Sequence, residues 1–241
     1  MNVPLIVLAI AVVLIAVEWI RPARKWPVIA GWWVRALAVN AVQVGIVFLA
    51  GRLWDPWLRA HRPWSLESLP TPVAVLIGYL AITFVYYWWH RARHDVDFLW
   101  RWFHQFHHSP ERIEVITSFY KHPLEITVNG LLSSVILYLG CGVGTDAAVW
   151  AVLITGLAEL FYHWNVATPY WLGFVFQRPE SHCIHHEKDL HYYNFADLPL
   201  WDMVFGTFRN PRKREFACGF GENRELQVWP MLRGRNILEG P

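Results

Sequence analysis

The sequence predicts an all-α fold: a polytopic membrane helical bundle of four or five transmembrane helices with a cytoplasmic, histidine-rich helical cap. The first reason is composition, because 55% of the 241 residues are hydrophobic and only 17% are charged. A soluble domain carries about a quarter charged residues. The second reason is that apolar runs close to the ~20 residues needed to cross hydrocarbon recur along the chain. The third reason is a pair of histidine clusters that follow these runs.

The N-terminal apolar run, residues 1–20, is interpreted as a retained first span. It lacks the basic start and the small-residue cleavage site of a signal peptide, and the basic loop RPARK follows it. Four further spans are predicted at residues 28–50, 73–89, 124–141 and 145–163. A four-span arrangement, in which one segment is re-entrant, stays open.

The distribution of basic residues predicts which side each loop faces. RPARK holds three basic residues, so the positive-inside rule places it in the cytoplasm. With five spans, alternation puts residues 90–123 and everything after residue 164 on the same side. Those segments are also rich in Arg and Lys. We therefore expect an integral, multi-pass membrane protein whose histidine clusters face the cytoplasm.

Two copies of the pattern H-x-x-H-H are the most specific feature of the sequence. With 12 histidines in 241 residues, random placement predicts roughly 0.03 copies. Residues three and four apart share one face of a helix, so each copy is expected to aim three imidazoles at one point. A solvated histidine face is the ordinary alternative, and the doubled spacing argues against it. The six histidines are His104, His107 and His108 in FHQFHHSP, and His182, His185 and His186 in SHCIHHEKD.

Three more histidines are expected to converge with these clusters, and two of them, His90 and His163, would lie at one depth beneath them. His90 and His94, in HRARH, lie one helical turn apart at the end of a span, and His163, in FYHWN, ends another. Nine imidazoles exceed the number that one metal ion accepts, so two ions are the natural count. Imidazole suits zinc, copper, iron and nickel, and the thiolates of a structural zinc site are missing. Two irons held by neutral nitrogen ligands would keep a high positive charge, which suits O₂ activation, and zinc is a possible substitute.

Four other residues are candidates for an additional ligand or for a contact that supports the ligands. Glu159 could orient an imidazole or pair with Arg35. His122 could be a tenth ligand, a supporting group or the start of the next helix. His191 is either a ligand or a neighbour of the ligands, and Asn194 could hold a metal-bound water.

The order HRARH, FHQFHHSP, YKHPLE, FYHWN, HCIHH and WDMVFGTF resembles the fatty acid hydroxylase and sterol desaturase superfamily, the histidine-box membrane di-iron oxygenases. The resemblance covers about residues 74–210. It implies that the nine box histidines hold a non-haem centre of two irons, with the metals as the catalyst. It further implies that O₂ and external electrons hydroxylate or desaturate a lipid, such as a sterol, a fatty acyl chain or a related isoprenoid.

The same resemblance suggests how the chain is organised. Residues 1–72 would form the N-terminal transmembrane helices and a connector, residues 73–210 a catalytic domain, and residues 211–241 a C-terminal cytoplasmic tail. One departure concerns the ligands, because some members carry H-x-x-x-H where His163 is followed by Ala167. His122 or His191 could replace the missing histidine.

The expected partners are a lipid from the bilayer and a separate electron-transfer protein. The latter would be a ferredoxin, a cytochrome or a reductase, since no haem-binding H-P-G-G segment or flavin domain is recognised. A net charge of +2 gives no reason to expect nucleic acid. The sequence leaves the oligomeric state open.

Two other functional classes compete with the oxygenase. A zinc hydrolase acting on lipid head groups would use the metals to activate water and would need neither O₂ nor electrons. A non-catalytic metal-binding membrane protein, such as a carrier, would need polar residues along its spans. The histidines are instead expected at one end of the bundle, which argues against a transmembrane path.

Overall fold

The computed structural model describes residues 3–213 and 216–239. The start of the predicted first span and residues 214–215 and 240–241 of the predicted tail lie outside these ranges. Within them the chain is helical apart from turns, loops and one isolated bridge between Glu187 and Cys218. The α-helices of the described residues are α1 (Val3–Ile20), α2 (Trp32–Leu53), α3 (Asp55–Ala60), α4 (Thr71–Asp95), α5 (Asp97–Leu99), α6 (Gln105–His108), α7 (Pro123–Ser134), α8 (Thr145–His163), α9 (Pro179–His185), α10 (Pro199–Phe205) and α11 (Val228–Leu232).

Shorter helical turns extend or connect these helices. A π-helical turn, Trp100–His104, joins α5 to α6, and a second, Val135–Gly140, continues α7. Three-residue to five-residue 3₁₀ turns occur at Val115–Thr117, Tyr170–Phe174 and Arg224–Leu226. The resulting architecture confirms the predicted all-α membrane bundle with a histidine-rich helical cap.

Among the described residues, four helical segments are long and apolar enough to cross a membrane. They are Trp32–Ala60, in which α3 continues α2, then Thr71–Asp95, Pro123–Gly140 and Thr145–His163. The apolar part of α1, Leu5–Ile20, is shorter. The five-span prediction therefore becomes four full-length helices and one shorter apolar helix.

The helices pack around α4, which lies against α8. Helix α2 packs on α7, and α1 packs on α8. Helix α4 approaches its neighbours closely at Gly78, where a Cβ atom would lie 2.8 Å from Cδ2 of Leu137, in the turn after α7, and 3.5 Å from Cβ of Ala151 on α8. Small residues at such positions let membrane helices approach closely. The buried layer around this contact includes Ala74, Ile82 and Ala148.

The predicted tail packs against the cap over its described part. Gly219 adopts φ 76°, and a Cβ atom there would lie 2.4 Å from the carbonyl oxygen of Pro110. Its N–H donates to the carbonyl of His186, 3.0 Å away. Phe220 and Met231 are buried in one cluster with Trp100. This segment therefore covers the helices that carry the histidines.

Candidate metal centre

The nine histidines converge in two groups. The five-histidine group contains His90, His94, His104, His108 and His185, and the four-histidine group contains His107, His163, His182 and His186. Within each group, one nitrogen of every ring lies within 4.8 Å of the others. All members are buried or half-buried. The two groups are adjacent, since His108 and His186 stack with ring centroids 4.2 Å apart.

Each H-x-x-H-H copy divides its histidines between the two groups, which corrects the expectation of three imidazoles on one point. His104 and His108 enter the five-histidine group, whereas His107 between them enters the other. His182 and His186 likewise separate from His185. The physical reason is helical geometry, because positions i and i+4 are neighbours on one face and position i+3 points to the other side of it.

Backbone carbonyls fix the tautomer of four rings. A carbonyl oxygen only accepts, so the Nδ1 atom beside it carries the proton and Nε2 presents a lone pair. Such contacts also set the orientation of metal-ligating imidazoles. The four contacts are His90 Nδ1 with Phe195 O at 2.7 Å, His107 Nδ1 with Tyr120 O at 3.2 Å, His163 Nδ1 with Glu159 O at 2.9 Å and His185 Nδ1 with Tyr193 O at 2.8 Å.

A carboxylate supports a fifth ring. Glu125 Oε1 lies 3.1 Å from His104 Nδ1, and the same oxygen is paired with Arg93. All three side chains are almost completely buried. Glu125 is the last residue of the YKHPLE element, so this element connects the start of α7 to the five-histidine group.

The contacts within the five-histidine group cannot all be hydrogen bonds. Four Nε2 atoms form a chain, with His90 and His104 2.8 Å apart, His104 and His108 3.1 Å apart, and His108 and His185 3.1 Å apart. Three contacts need three hydrogens. The terminal rings, His90 and His185, hold their protons on Nδ1, so at most two hydrogens, one on each middle ring, are available for the three contacts. Only one is available where His104 donates its Nδ1 proton to Glu125. At least one contact is therefore repulsive unless a cation lies between the nitrogens.

The four-histidine group leads to the same conclusion. His182 Nε2 lies 3.1 Å from Nε2 of both His163 and His186, yet one nitrogen cannot donate and accept at once. The Nδ1 atoms of His182 and His186 are also buried without a hydrogen-bond partner. Metal–nitrogen bonds of 2.0–2.1 Å place adjacent ligand nitrogens roughly 2.9–3.4 Å apart. Both groups therefore fit a metal ion each.

The electrostatics of the cap keep the rings in their ligand form. Burial, followed by the charges of neighbouring groups, holds the pKa of His104, His107, His108, His182 and His186 well below the usual range. Burial also lowers the pKa of His185 to about 3. Neutral imidazole is the species that binds a metal. Because the donors are all nitrogen, iron, zinc, copper and nickel are compatible with the two groups.

The structure places His122 and Glu159 outside both groups. His122 caps α7, since its Nδ1 accepts from the N–H of Leu124 at 3.0 Å. Glu159 pairs with Lys121, so the predicted pair with Arg35 is wrong. Arg35 instead pairs with Glu225, because the C-terminal segment packs against the start of α2.

His191 and Asn194 also have defined surroundings. Nδ1 of His191 lies 3.2 Å from Nδ1 of His108, so it touches a predicted ligand from outside the five-histidine group. The Asn194 amide donates to Ser181 O at 2.8 Å and accepts from the N–H of Arg209 at 2.8 Å. Both ends of this amide are therefore held by backbone.

The WDMVFGTF element acts on the five-histidine group through the backbone. Asp202 accepts from the N–H groups of Phe195 and Ala196 at 2.8 Å and 2.9 Å, and from the Thr207 hydroxyl at 2.7 Å. Phe195 is the residue whose carbonyl holds His90. Gly206 ends α10 with φ 78°, a left-handed conformation that glycine adopts without strain. The carbonyl contacts of Phe195, Tyr120 and Tyr193 have no signal in the sequence, because any residue type can provide them.

A cavity of about 600 Å³ reaches both groups from inside the bundle. His90 and His104 of the five-histidine group line it, as do His107 and His182 of the four-histidine group. The remaining wall comes mainly from α1, α2, α4, α7 and α8. Its surface is mostly apolar, with aliphatic and aromatic side chains and several polar groups such as Asn129 and Asp197. The site therefore combines two metal-binding groups with an apolar chamber.

Comparison with known proteins decides the family. The sequence model of the fatty acid hydroxylase family matches residues 75–207, more than half of the chain. The chain belongs to the fatty acid hydroxylase family. The predicted superfamily is thus confirmed, and the match includes all nine histidines of the two groups.

Curated relatives of this family differ in what they act on. The chain is 32% identical to an ornithine lipid hydroxylase of Rhizobium tropici, over 65% of this chain and 48% of the relative. It is 28% identical to human alkylglycerol monooxygenase, over 65% and 34%, and 27% identical to a very-long-chain aldehyde decarbonylase of Oryza sativa subsp. japonica, over 68% and 28%. The matched region spans about half the length of these relatives or less. No solved structure matches the chain.

Proposed function

We propose that the protein is a membrane-bound non-haem di-iron oxygenase that hydroxylates or desaturates a lipid. The observation that carries the proposal is the convergence of two all-imidazole groups at one apolar cavity. The relatives named above, a lipid hydroxylase and an alkylglycerol monooxygenase among them, support an oxidation of this kind. We assign the substrate to one of three lipid classes that suit an apolar chamber: sterols, fatty acyl chains and related isoprenoids.

The chain would hold one iron in each histidine group. When bound, the two irons supply the redox chemistry that lets O₂ react with an unactivated C–H bond, and zinc can occupy the same ligands. The residues themselves have simpler roles. The carbonyls of Phe195 and Tyr193 and the Glu125 carboxylate keep the rings of the five-histidine group oriented. The apolar side chains of the cavity wall keep bulk water away from the reacting carbon.

The reaction balance requires an electron source. Hydroxylation combines the lipid C–H bond, O₂, two electrons and two protons to give an alcohol and one water. Desaturation uses the same O₂, electrons and protons, removes two hydrogens from adjacent carbons and gives two waters. We assign the electrons to a separate protein, a ferredoxin, a cytochrome or a reductase.

We place the two histidine groups on the cytoplasmic side of the membrane. The basic loop RPARK and the basic residues of the cap support this orientation under the positive-inside rule. In a Cys141→Ala background, cysteines introduced at Ser65 and Arg212 test it in intact cells. An impermeant thiol reagent is expected to label the Ser65→Cys variant only, and the reverse pattern contradicts the orientation.

The function is tested by lipid oxidation with purified protein, a reductant system and a lipid extract from the host. The expected result is product formation that needs O₂ and disappears in the His104→Ala and His182→Ala variants. His61→Ala is the matched control, because the ring of this exposed histidine stacks on Trp57 of the preceding helix and belongs to neither histidine group. Products that form without O₂ or reductant would identify a zinc hydrolase instead.

A further inference from the structure

The cavity is elongated along the bundle. Its wall on α8 runs from Ala148 to Tyr162. A separation of fourteen residues corresponds to about 21 Å at the 1.5 Å rise of an α-helix. A single extended alkyl chain is the lipid component with this shape.

The histidines lie at one end of this length only. His90, near the C-terminal end of α4, and Tyr162, beside His163 at the end of α8, mark that end. Leu137 and Tyr138, which precede the loop between α7 and α8, line the opposite end together with Ala148. A chain that fills the cavity therefore has one end at the histidines and the other end about 20 Å away.

Most polar groups of the wall are already paired within the protein. Far from the histidines, the Ser134 hydroxyl donates to Asp55, and the Tyr86 hydroxyl lies 2.9 Å from Ser133 Oγ. Near the histidines, Lys121 and Glu159 form an ion pair on the wall. Because of these contacts, the end of the cavity far from the histidines has few polar atoms without a hydrogen-bond partner.

Gln43 on α2 presents a free acceptor to the cavity, because its Oε1 atom is buried without a hydrogen-bond partner. Oε2 of Glu125, beside the histidines, is likewise buried without one. Gln43 lines the cavity three residues after Asn40, whose amide donates to the carbonyl of Ile116 in the cap. Three residues correspond to about 4.5 Å along a helix, so Gln43 lies close to the cap end of the cavity. A buried acceptor of this kind is stabilised by a donor on a ligand.

The cavity has a lateral margin between α1 and α2. Trp19 and Trp33 hold the two helices together near the cap with an edge contact of 5.5 Å. Farther along, the wall residues Leu8 of α1 and Val44 of α2 are 57% and 55% exposed. Aliphatic side chains on such a margin face lipid, so a lipid chain can enter sideways from the bilayer.

We propose that the cavity binds one long-chain lipid with its polar end at the histidines and its alkyl chain toward Leu137 and Tyr138. The polar end carries a hydroxyl or amide N–H that donates to Gln43 and lies beside the Lys121–Glu159 pair. The carbons presented to the two histidine groups are then those next to the polar end. The assignment of oxidation to these carbons rests on the proposed function, whereas the binding orientation does not.

Photo-labelling of zinc-loaded protein tests the orientation without any oxidation step. The probes are two 1-hexadecanols that carry a diazirine at carbon 3 or at carbon 12. The carbon-3 probe is expected to label peptides containing Lys121, Glu125 or Glu159, and the carbon-12 probe peptides containing residues 134–149. The reversed pattern, or labelling that excess 1-hexadecanol does not reduce, overturns the proposal.

Two valines on α2 provide matched variants for the entry margin. Val44→Trp narrows the margin and is expected to reduce labelling by both probes at least fivefold. Val34→Trp, at a 74% exposed valine outside the cavity, is expected to leave labelling unchanged. Val47→Trp serves as a second margin variant if Val44→Trp is unfolded by circular dichroism. Equal labelling in margin and control variants overturns the entry route.

The Gln43 contact is tested by comparing 1-hexadecanol with hexadecyl methyl ether as competitors of the carbon-3 probe. The ether lacks a donor, so the wild-type protein is expected to prefer the alcohol about five- to tenfold, as one buried hydrogen bond of 1–1.4 kcal/mol implies. Gln43→Leu is expected to reduce the preference to about one. An unchanged preference in this variant overturns the role of Gln43. Binding in the expected orientation without later oxidation would leave this inference intact and count against the proposed function.

Discussion

Glu125 Oε1 lies 3.1 Å from Nδ1 of His104, and both side chains are buried. The same carboxylate oxygen is paired with Arg93. One carboxylate therefore balances a buried guanidinium and orients a ring of the five-histidine group. Removing the group that binds the second ring nitrogen of a metal-bound imidazole commonly lowers metal affinity 10–100-fold.

Glu125→Gln tests that relationship. The amide loses the charge opposite Arg93, so iron affinity of the five-histidine group is expected to fall about 10–100-fold, with that of the four-histidine group preserved. Iron titration of the metal-free protein measures the two affinities. Glu67→Gln, at an exposed glutamate of the opposite connector, is the control. Two unaltered affinities in Glu125→Gln would contradict the account.

Asp202 is expected to hold the carbonyl of Phe195 in place. Asp202→Asn can accept fewer of the three hydrogen bonds, so we expect a loss of about 1–3 kcal/mol in stability and weaker iron binding by the five-histidine group. Thermal unfolding and iron titration measure the two effects. Thr207→Val removes the hydroxyl contacts with Asp202 and Tyr87 but leaves both backbone N–H contacts of Asp202, so it should have the smaller effect on iron. A larger effect of Thr207→Val would contradict the backbone route.

Close packing of α4 predicts a difference between two glycines. At Gly78 an added methyl group would meet Leu137 Cδ2 at 2.8 Å, so Gly78→Ala is expected to destabilise the protein by about 1–3 kcal/mol. At Gly45, also inside a helix, an added Cβ meets nothing within 4 Å. Gly45→Ala should be neutral or stabilising, because alanine favours helix. Unfolding in increasing denaturant compares the variants, and equal stabilities would show that the contact at Gly78 is looser than described.

Metal-free protein is expected to lose stability as the pH falls below 6.5. Burial lowers the pKa of His185 to about 3 and that of His191 to about 4. The unfolded chain therefore binds more protons than the folded chain between those values and about 6.5, and stability decreases toward lower pH in this window. Each such ring contributes about 1.4 kcal/mol of destabilisation at pH 5.5. Unfolding midpoints at pH 7.5 and 5.5 measure it, and equal midpoints would contradict the buried, neutral state of the rings.

Much of the architecture is encoded in local sequence patterns. The apolar runs predict the positions of the spans. Helix α4 nevertheless extends beyond the predicted end at residue 89, because the polar segment HRARH continues the same helix to Asp95. The nine predicted histidines meet because each lies at or near the end of a helix. The spacing of the histidines and their positions at the ends of apolar runs are visible in the sequence. Their convergence could therefore be predicted from the sequence.

Other features depend on packing between distant segments. Helix geometry lets each H-x-x-H-H copy divide between two groups, but tertiary packing decides which histidines of distant segments complete each group. The C-terminal segment must dock on the cap before Arg35 can pair with Glu225. The same docking buries Phe220 against Trp100 and Phe106 of the cap. The carbonyl of Phe195 holds His90 through backbone geometry that Asp202 sets, and residue identity at position 195 gives no sign of it.

The most direct measurement of the central claim is the number of irons per chain, by elemental mass spectrometry and Mössbauer spectroscopy of ⁵⁷Fe-loaded protein. The wild type is expected to hold about two. The His104→Ala/His108→Ala and His182→Ala/His186→Ala double variants are each expected to keep about one, because each removes two ligands from a different group. A wild type that binds one iron or none, or double variants that both lose all iron, would contradict a centre built from two separate histidine groups.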